Sequence, residues 1–235
     1  SGKLLRSLAT SCGKIDGCPP FSTARLVALE TNKNGVFSVK PMYLDIINSA
    51  SIPQSVHICK VKVHLRIKVF MWFVHKQVIL TKDNLAKRNW SGSRRCSFCD
   101  HDESIKHHFL DCPMAKILWR SVHVAFNITP PTIMHTLFGT WLDGVESKTA
   151  KHIRVGVCAL LWAVWNCRND LVFNRTTQIH FLQVIFWATT LIRMWSLLTP
   201  TDAREHMVTR SIRWEMVARA IFNRFGWRSC NRIGN

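Results

Sequence analysis

Cysteine and histidine are concentrated in residues 94–113, here called the zinc loop because of the metal site that their spacing predicts. It opens with Arg94-Arg95-Cys96-Ser97-Phe98-Cys99, continues through the acidic Asp100-His101-Asp102-Glu103, and closes with His107-His108-Phe109-Leu110-Asp111-Cys112-Pro113. Its cysteines and one histidine follow the spacing C-x2-C-x7-H-x4-C, which predicts one tetrahedral Cys3His zinc site with no open position, a structural site. We expect metal binding to supply the folding energy of this loop, since it holds little apolar material.

The predicted ligands are Cys96, Cys99, His107 and Cys112. Spacing favours His107, with His108 and His101 as alternatives. A disulfide between Cys96 and Cys99 is the competing interpretation of the close pair. The other six of the nine cysteines show no ligand spacing and are expected to be ordinary residues: Cys12, Cys18, Cys59, Cys158, Cys167 and Cys230.

Composition predicts a folded, basic, intracellular protein. The 235 residues are 47% hydrophobic with ten tryptophans, enough for a substantial core in one large or two small domains. The net charge of +18 points to a polyanionic partner, nucleic acid before an anionic membrane surface. The most apolar stretch, 155–165, is too short to span a bilayer. The odd cysteine count and the metal spacing favour a reducing compartment, the nucleus or the cytoplasm.

Periodicity predicts a mainly α fold with little strand. We expect an irregular segment at 1–34, a basic helical segment with the zinc module at 35–125, a linker at 126–147 and a C-terminal helical domain at 148–230. Within the second segment, a short extended piece and a helix are expected between 35 and 49, followed by a connector at 51–55.

Further helices follow from apolar spacing and from capping residues. Strict alternation from Lys60 gives way to a helical stripe, so an extended lead-in should become a helix near Arg66, with Ile67, Phe70, Met71, Val74 and Val78 on its apolar face. Thr81 is expected to cap a short helix and Pro113 to begin another. Longer helices are expected at about 148–173, 179–198 and 202–225, the first two as an antiparallel hairpin.

A basic run precedes the zinc loop. Between residues 60 and 95 there are ten Lys or Arg and one acid, Asp83, which is half of the net charge. Cations beside a zinc site can contact phosphates, while Trp72 and Trp90, interleaved with them, are expected in the core. The predicted nucleic-acid-binding residues are Lys60, Lys62, Arg66, Lys68, Lys87, Arg88, Arg94 and Arg95.

Catalytic signatures are missing from the sequence. A polymerase needs paired carboxylates on metal ions, and the only tyrosine-containing candidate, Tyr43-Leu44-Asp45-Ile46, has one acid. The 14 acids suggest no ribonuclease H set, and there is no phosphate-cradling glycine loop. We therefore predict no catalytic residues and no enzyme, and we interpret Arg168 and Asp170 as surface or helix-end residues.

Several segments together resemble a known family. Besides the zinc ligands they are Gly35–Lys40 with Tyr43, Leu80–Arg88 with Trp90, Glu103-Ser104 with Phe109, Leu161–Trp165 with Arg168-Asn169 and Phe173, and Phe222–Trp227. The combination resembles the zinc-binding region near the C-terminus of plant non-LTR (LINE-type) retrotransposon reverse transcriptases. His64, where Pro is frequent, and His108, where an apolar residue is usual, depart from the pattern.

The resemblance implies origin and zinc binding, with His107 as the histidine ligand and one structural Zn²⁺ as the cofactor. It does not imply polymerase activity, because the chain contains neither the polymerase nor the endonuclease domain. Charge and resemblance together predict a non-catalytic region that binds RNA or DNA mainly through phosphates, and that could contact the upstream reverse transcriptase domains. The rival hypothesis is a protein-interaction or structural module, a relic or domesticated fragment, that uses the zinc loop and the tryptophan-rich helices.

Overall fold

A computed structural model describes residues 53–225, with side chains from residue 57 onward. The predictions for 1–34, for the extended piece and helix at 35–49, and for 226–230 lie outside these residues. Of the described residues 67% are helical and none lies in a strand, so the predicted mainly α fold is confirmed. The α-helices are α1 (Pro53–Lys60), α2 (Leu65–His75), α3 (Lys82–Ala86), α4 (Pro113–Phe126), α5 (Ser147–Val172), α6 (Phe181–Ser196) and α7 (Thr201–Phe225).

Helix α1 occupies part of the segment that was expected to be a connector. It begins at Pro53 and ends at Lys60. Proline is well suited to the first helical position, because its ring fixes φ near the helical value and its missing N–H would have no partner there. The prediction of a connector at 51–55 is therefore wrong from Pro53 onward.

The extended lead-in becomes helix α2 at Leu65, one residue from the predicted position. The His64 ring accepts a hydrogen bond from the Arg66 amide at 3.2 Å, which helps to start the helix. The predicted stripe is buried at Ile67, Phe70, Met71 and Val74. Val78 is 43% exposed and does not belong to it. The helix has already ended at His75, and Gln77 adopts a left-handed φ of 57° that turns the chain away.

Helices α5, α6 and α7 form the larger part of the core. Helix α5 is buried nearly all round between Val155 and Val164, as the apolar sequence there predicts. Helix α6 packs along both α5 and α7. Arg193 on α6 pairs with Glu215 on α7 at 2.7 Å, which fixes these two helices side by side.

Helix α4 joins the zinc loop to this bundle. It starts at Pro113, as predicted, and buries Leu118, Val122 and Ala125 along one face. From the middle of α4 the Trp119 indole donates to the carbonyl of Phe109 in the zinc loop at 2.8 Å. Nearby the Trp214 indole of α7 donates to the hydroxyl of Ser121 at 2.8 Å. These two buried hydrogen bonds connect the loop to α7 through a single helix.

The stretch 127–146 contains two short 3-10 turns, Met134–Thr136 and Thr140–Leu142. Asn127, with φ of 54°, ends α4 in the left-handed conformation that asparagine tolerates. Met134, Leu137 and Phe138 are buried in the common core.

All described residues lie in one unit of the chain, Ser51–Asn235. The predicted division at 125 and 147 stays a prediction. Among the helices of residues 53–225, none has the length and apolar character required to cross a bilayer.

Candidate metal centre

The first half of the centre is a tight turn that carries Cys96 and Cys99. The Cys96 amide donates to the carbonyl of His101 at 2.7 Å, and the Phe98 amide donates to the Cys96 sulfur at 3.4 Å. An isolated antiparallel bridge between Arg95 and Asp102 closes the base of the turn. The chain therefore folds back on itself within a few residues, which places both sulfurs on one side.

The second half is a π-helical turn, His107–Asp111. Its defining hydrogen bond runs from the Cys112 amide to the carbonyl of His107 at 2.7 Å, so that residues five apart meet. The x4 spacing between histidine and cysteine is thus the spacing of one π turn. Cys112 then leaves helical geometry with ψ of 139°, because the following Pro113 disfavours the α conformation at the residue before it.

These turns bring the four predicted ligands together. The ligand atoms of Cys96, Cys99, His107 and Cys112 all lie within 4.8 Å of one another. The Cys96 and Cys112 sulfurs are 4.0 Å apart, those of Cys112 and Cys99 are 3.9 Å apart, and the Cys99 sulfur is 3.2 Å from Nε2 of His107. Zinc bonds of about 2.3 Å to sulfur and about 2.0 Å to nitrogen separate tetrahedral ligands by about 3.5–3.8 Å. The donor set and its spacing fit zinc.

The thiols influence each other's protonation. The pKa of Cys96 is held well below its usual value, because the Cys112 thiol donates a hydrogen bond to its sulfur. The pKa of Cys112 is raised for the same reason, and burial raises that of Cys99. A first thiolate is thus favoured at Cys96, and zinc would take the place of the remaining protons, since it binds cysteine as the thiolate.

Cysteines outside the centre behave differently. Burial raises the pKa of both Cys158 and Cys167 to about 12, which leaves them as neutral thiols in the core. Cys59 is half-buried on α1, and no disulfide links the six cysteines of the described range. The structure therefore offers no support for a bond between Cys96 and Cys99. Cys12, Cys18 and Cys230 lie outside the described residues.

The alternative histidines occupy other positions. His101 is exposed, and its ring lies beside that of His107 with centroids 5.7 Å apart. His108 is fully buried, stacked on Phe98 with centroids 5.5 Å apart and a tilt of 9°. One of its ring nitrogens lies within 4.8 Å of the Cys96 sulfur and of a Glu103 oxygen, which makes a second buried cluster of three residues beside the Cys3His set.

A buried ion pair, which was not predicted from the sequence, anchors the loop to helix α5. Arg168 is 4% exposed. Its Nη2 donates a hydrogen bond to Oε1 of Glu103 at 2.7 Å, and its Nε donates one to Oε2 at 3.3 Å. The same carboxylate accepts the Lys82 amide at 3.0 Å, and Trp165 lies under the guanidinium at 4.9 Å. The interpretation of Arg168 as a surface residue is wrong, although Arg168 does lie near the end of α5 (Ser147–Val172). One available signal was an arginine directly following a long apolar helical stretch.

The predicted nucleic-acid-binding residues are mostly exposed. The structure places them at the end of α1 and in the lead-in, on α2, after α3 and at the start of the zinc loop. Lys68 is the exception, because it is half-buried and donates to the carbonyl of Cys59 at 2.8 Å. Arg66 lies over the Trp162 ring at 5.2 Å. The exposed members are Lys60, Lys62, Arg66, Lys87, Arg88, Arg94 and Arg95.

The two interleaved tryptophans do not lie in the core as expected. Trp72 is half-buried, with Lys76 over its ring at 5.9 Å. Trp90 is 41% exposed. The core that they were expected to fill is occupied instead by Phe70 and Phe109, whose rings meet edge to face at 6.5 Å.

Comparison with known proteins agrees with this geometry. Residues 37–119 match the family model described as zinc-binding in reverse transcriptase. This segment is similar to the zinc-binding region of reverse transcriptases, so the resemblance predicted from the sequence is confirmed there. It includes all four ligands of the Cys3His set, and the chain binds one structural zinc ion through this centre.

A relative matches a longer stretch of the chain. A protein of Arabidopsis thaliana, named as a candidate ribonuclease H protein, is 32% identical over 197 residues. The match covers 78% of this chain but 31% of that protein, so the chain spans about a third of its relative's length. No solved structure gives a significant match to the chain.

Proposed function

We propose that this chain is a nucleic-acid-binding accessory region of a retrotransposon-type reverse transcriptase, and that it is not itself catalytic. Zinc orders the loop, and the surrounding lysines and arginines contact the phosphates of RNA or DNA. In the parent protein such a region would help to hold the template or the target.

The observation that carries the proposal is the contrast between Arg168 and the exposed cations. Arg168 is fully engaged by a buried carboxylate at 2.7 Å. Lys87 and Arg95 have only distant acidic partners, Asp83 at 3.9 Å and Asp100 at 3.7 Å, and Lys87 also donates to the side-chain oxygen of Asn84 at 3.0 Å. Such exposed pairs contribute about 0–1 kcal/mol and give way easily to a phosphate. The positive charge ahead of the zinc loop is therefore available to an external anion.

The proposal of a non-catalytic role rests on the carboxylates. Cleavage or synthesis of nucleic acid with two metal ions requires several carboxylates that converge on them. Within residues 53–225, two clusters of three or more His, Cys, Asp or Glu side chains could hold a metal ion. The one carboxylate in these clusters belongs to Glu103. That carboxylate is occupied by Arg168 and by the Lys82 amide. This favours a binding role for the region, whatever its longer relatives do.

The test is a salt titration of the zinc-loaded chain with single-stranded RNA and single-stranded DNA. We expect binding that weakens steeply with salt, because each phosphate contact on a single strand contributes about 0.7 to the slope of log K against log salt. Replacing Arg88 and Arg94 by glutamine should reduce that slope by about 1.4. The matched control is Lys151→Gln with Arg213→Gln, which removes the same charge from exposed positions on α5 and α7.

Three results would contradict the proposal. Absence of binding at low salt would remove the phosphate-contact role. Equal slopes for both double variants would mean that net charge alone, and not the surface beside the zinc loop, attracts the nucleic acid. Cleavage of an RNA–DNA hybrid in the presence of Mg²⁺ would contradict the non-catalytic role.

A second candidate function, protein docking, is favoured by exposed apolar side chains on the last two helices. Met194, Leu197 and Leu198 at the end of α6 are each more than half exposed, and so is Met216 on α7. Apolar side chains that remain exposed in numbers often mark protein contacts. The docking function predicts self-association or partner binding that Met194→Glu with Met216→Glu abolishes. A monomer that binds nucleic acid equally well with and without these changes would leave docking unsupported.

A further inference from the structure

Residues 87–95, here called the basic turn, connect helix α3 to the first zinc ligand. Every residue in it is exposed except Gly92, which is half-buried. It carries four cations, Lys87, Arg88, Arg94 and Arg95, and no acid. Trp90 lies at its centre. A large aromatic side chain exposed in the middle of an acid-free cationic segment is the arrangement that single-strand-binding proteins use.

Both ends of the basic turn are fixed. At the first end, the Arg88 and Trp90 amides donate to the carbonyl of Leu85 at 2.9 Å and 3.1 Å. At the other end, the Arg94 carbonyl accepts the Glu103 amide at 2.9 Å, within the zinc loop. Asn89, with a left-handed φ of 62°, makes the bend between α3 and Trp90. Trp90 is therefore presented by a backbone that α3 and the zinc loop hold in place.

The Trp90 ring lies against the backbone of Gly92. A Cβ atom added to Gly92 would be 2.0 Å from Cζ2 and 2.3 Å from Cη2 of the indole. Only glycine leaves room for the ring in this position, which restricts its rotation while leaving 41% of the residue exposed.

The exposed part of the ring is not covered by the protein's own groups. Trp72, Trp162 and Trp165 each have a cation over the ring, namely Lys76, Arg66 and Arg168. Within residues 53–225, no cation and no other aromatic ring is stacked on Trp90. Its π surface therefore remains available to an outside group, whereas these three tryptophans already use theirs inside the chain.

We propose that Trp90 is a stacking platform for an unpaired base of a single-stranded nucleic acid whose phosphates lie along the basic turn. This inference rests on the proposed function and specifies its ligand as a single strand. An unpaired base offers a flat π surface to the indole, whereas in a duplex both faces of each base are already stacked. The cations around Trp90 hold the phosphates, and the ring binds the base.

The test compares two tryptophans of equal exposure. Trp90→Leu removes the ring from the basic turn. Trp187→Leu removes one that is 40% exposed on α6, in a stretch from Phe181 to Ile192 without Lys or Arg. Each variant, loaded with zinc, is titrated by fluorescence anisotropy with a labelled single strand of mixed sequence, as RNA and as DNA, and with the corresponding duplexes.

We expect Trp90→Leu to bind the single strands roughly 5- to 150-fold more weakly, since that is the range for loss of one base–aromatic stack. The salt slope should be unchanged, because no phosphate contact is removed. The affinity of Trp90→Leu for duplexes should change little. Trp187→Leu should bind single strands with the wild-type affinity, and Trp90→Phe should recover much of the single-strand affinity that Trp90→Leu loses. One bound zinc per chain in every variant shows that the site is intact.

Two outcomes would overturn the stacking role without touching the proposed function. One is an affinity of Trp90→Leu for single strands equal to that of the wild type. That result would mean that Trp90 does not bind a base, and its exposed ring would then favour a protein contact. The other is an equal loss on single strands and duplexes, which would make its role structural. Failure of the wild-type chain to bind any nucleic acid would instead overturn the proposed function, and the stacking role with it.

Discussion

In the zinc loop, residues 94–113, short backbone turns hold four ligand atoms within 4.8 Å of one another, and the loop's apolar side chains reach outward into the shared core. In the bundle of α5, α6 and α7, buried apolar side chains from three long helices pack against each other. The loop thus depends on two specific attachments, a metal and an ion pair. The bundle depends mainly on many apolar contacts spread along three helices. Loss of either attachment should unfold the zinc loop and leave the bundle folded. A single conservative substitution in the bundle should instead lower the free energy of unfolding of the whole bundle by a small amount.

The largest expected effect follows from removal of the metal. Cys96→Ser, or addition of a strong chelator, should abolish stable zinc binding, whose apparent free energy in small structural sites is about 10–16 kcal/mol. By hydrogen exchange, amides of the zinc loop such as those of Cys96 and Cys112 should lose protection. Amides in the middle of α5 should keep theirs, because their core does not include the metal.

The matched control for the metal is Cys158→Ala. Cys158 is buried in α5, and burial raises the pKa of its thiol to about 12, so it does not act as a metal-binding thiolate at neutral pH. This variant should retain one zinc per chain. Full zinc occupancy in Cys96→Ser would contradict the assignment of the centre. Loss of protection throughout α5 on chelation would show that loop and bundle are a single cooperative unit.

The second largest effect concerns the buried ion pair between Glu103 and Arg168. Arg168→Met leaves a carboxylate buried without a cation, which costs about 3–5 kcal/mol when one partner of such a pair is removed. Adding Glu103→Gln should recover most of that loss, since the uncharged amide oxygen can still accept the Lys82 amide. Urea unfolding of the zinc-loaded single and double variants measures both steps.

An exposed ion pair provides the control. Arg175 pairs with Asp170 at 3.4 Å, and its side chain is 68% exposed. Arg175→Met should therefore change the free energy of unfolding by about 0–1 kcal/mol. If Arg168→Met proved as mild as Arg175→Met, the pair would not anchor the zinc loop to α5, and the contrast between loop and bundle would lose one of its two supports.

The zinc ligands could be predicted from the sequence because their geometry is local. All four lie within 17 residues, and each pair is joined by one turn whose hydrogen bonds are set by the spacing itself. The long helices were predictable for a similar reason, since apolar periodicity is a local pattern. Their ends at Val172, Ser196 and Phe225 lie within two residues of expectation.

Interactions between distant segments could not be predicted in this way. Glu103 and Arg168 are 65 residues apart, and no local pattern around either residue predicts that the two pair with each other. Trp90 was expected to be buried because large aromatic side chains usually are, but its ring lies against the Gly92 backbone, in a turn held between α3 and the zinc loop. Burial is decided by what packs against a side chain, and that information lies elsewhere in the chain.

The smallest expected effect uses one chemical change in both regions. Ile105 in the zinc loop and Ile185 in α6 are both buried. Shortening either to valine should lower the free energy of unfolding by about 0.5–1.5 kcal/mol in the zinc-loaded protein. In the metal-free protein, Ile185→Val should keep its full effect. Ile105→Val should lose most of its effect there, because the loop around it is no longer folded and the side chain has no packed site to leave.

The measurement is a thermodynamic cycle: urea unfolding of wild type, Ile105→Val and Ile185→Val, each with zinc and with chelator. Because zinc binding and folding are coupled, the same cycle can also be measured through the affinity for zinc. Whatever stability Ile105→Val loses only in the zinc-loaded state must appear as weaker zinc binding, roughly 2- to 13-fold for the range above. Ile185→Val should leave zinc affinity unchanged. If both variants lost the same stability with and without zinc, the loop would be folded without its metal, and its packing against the core would suffice to hold it.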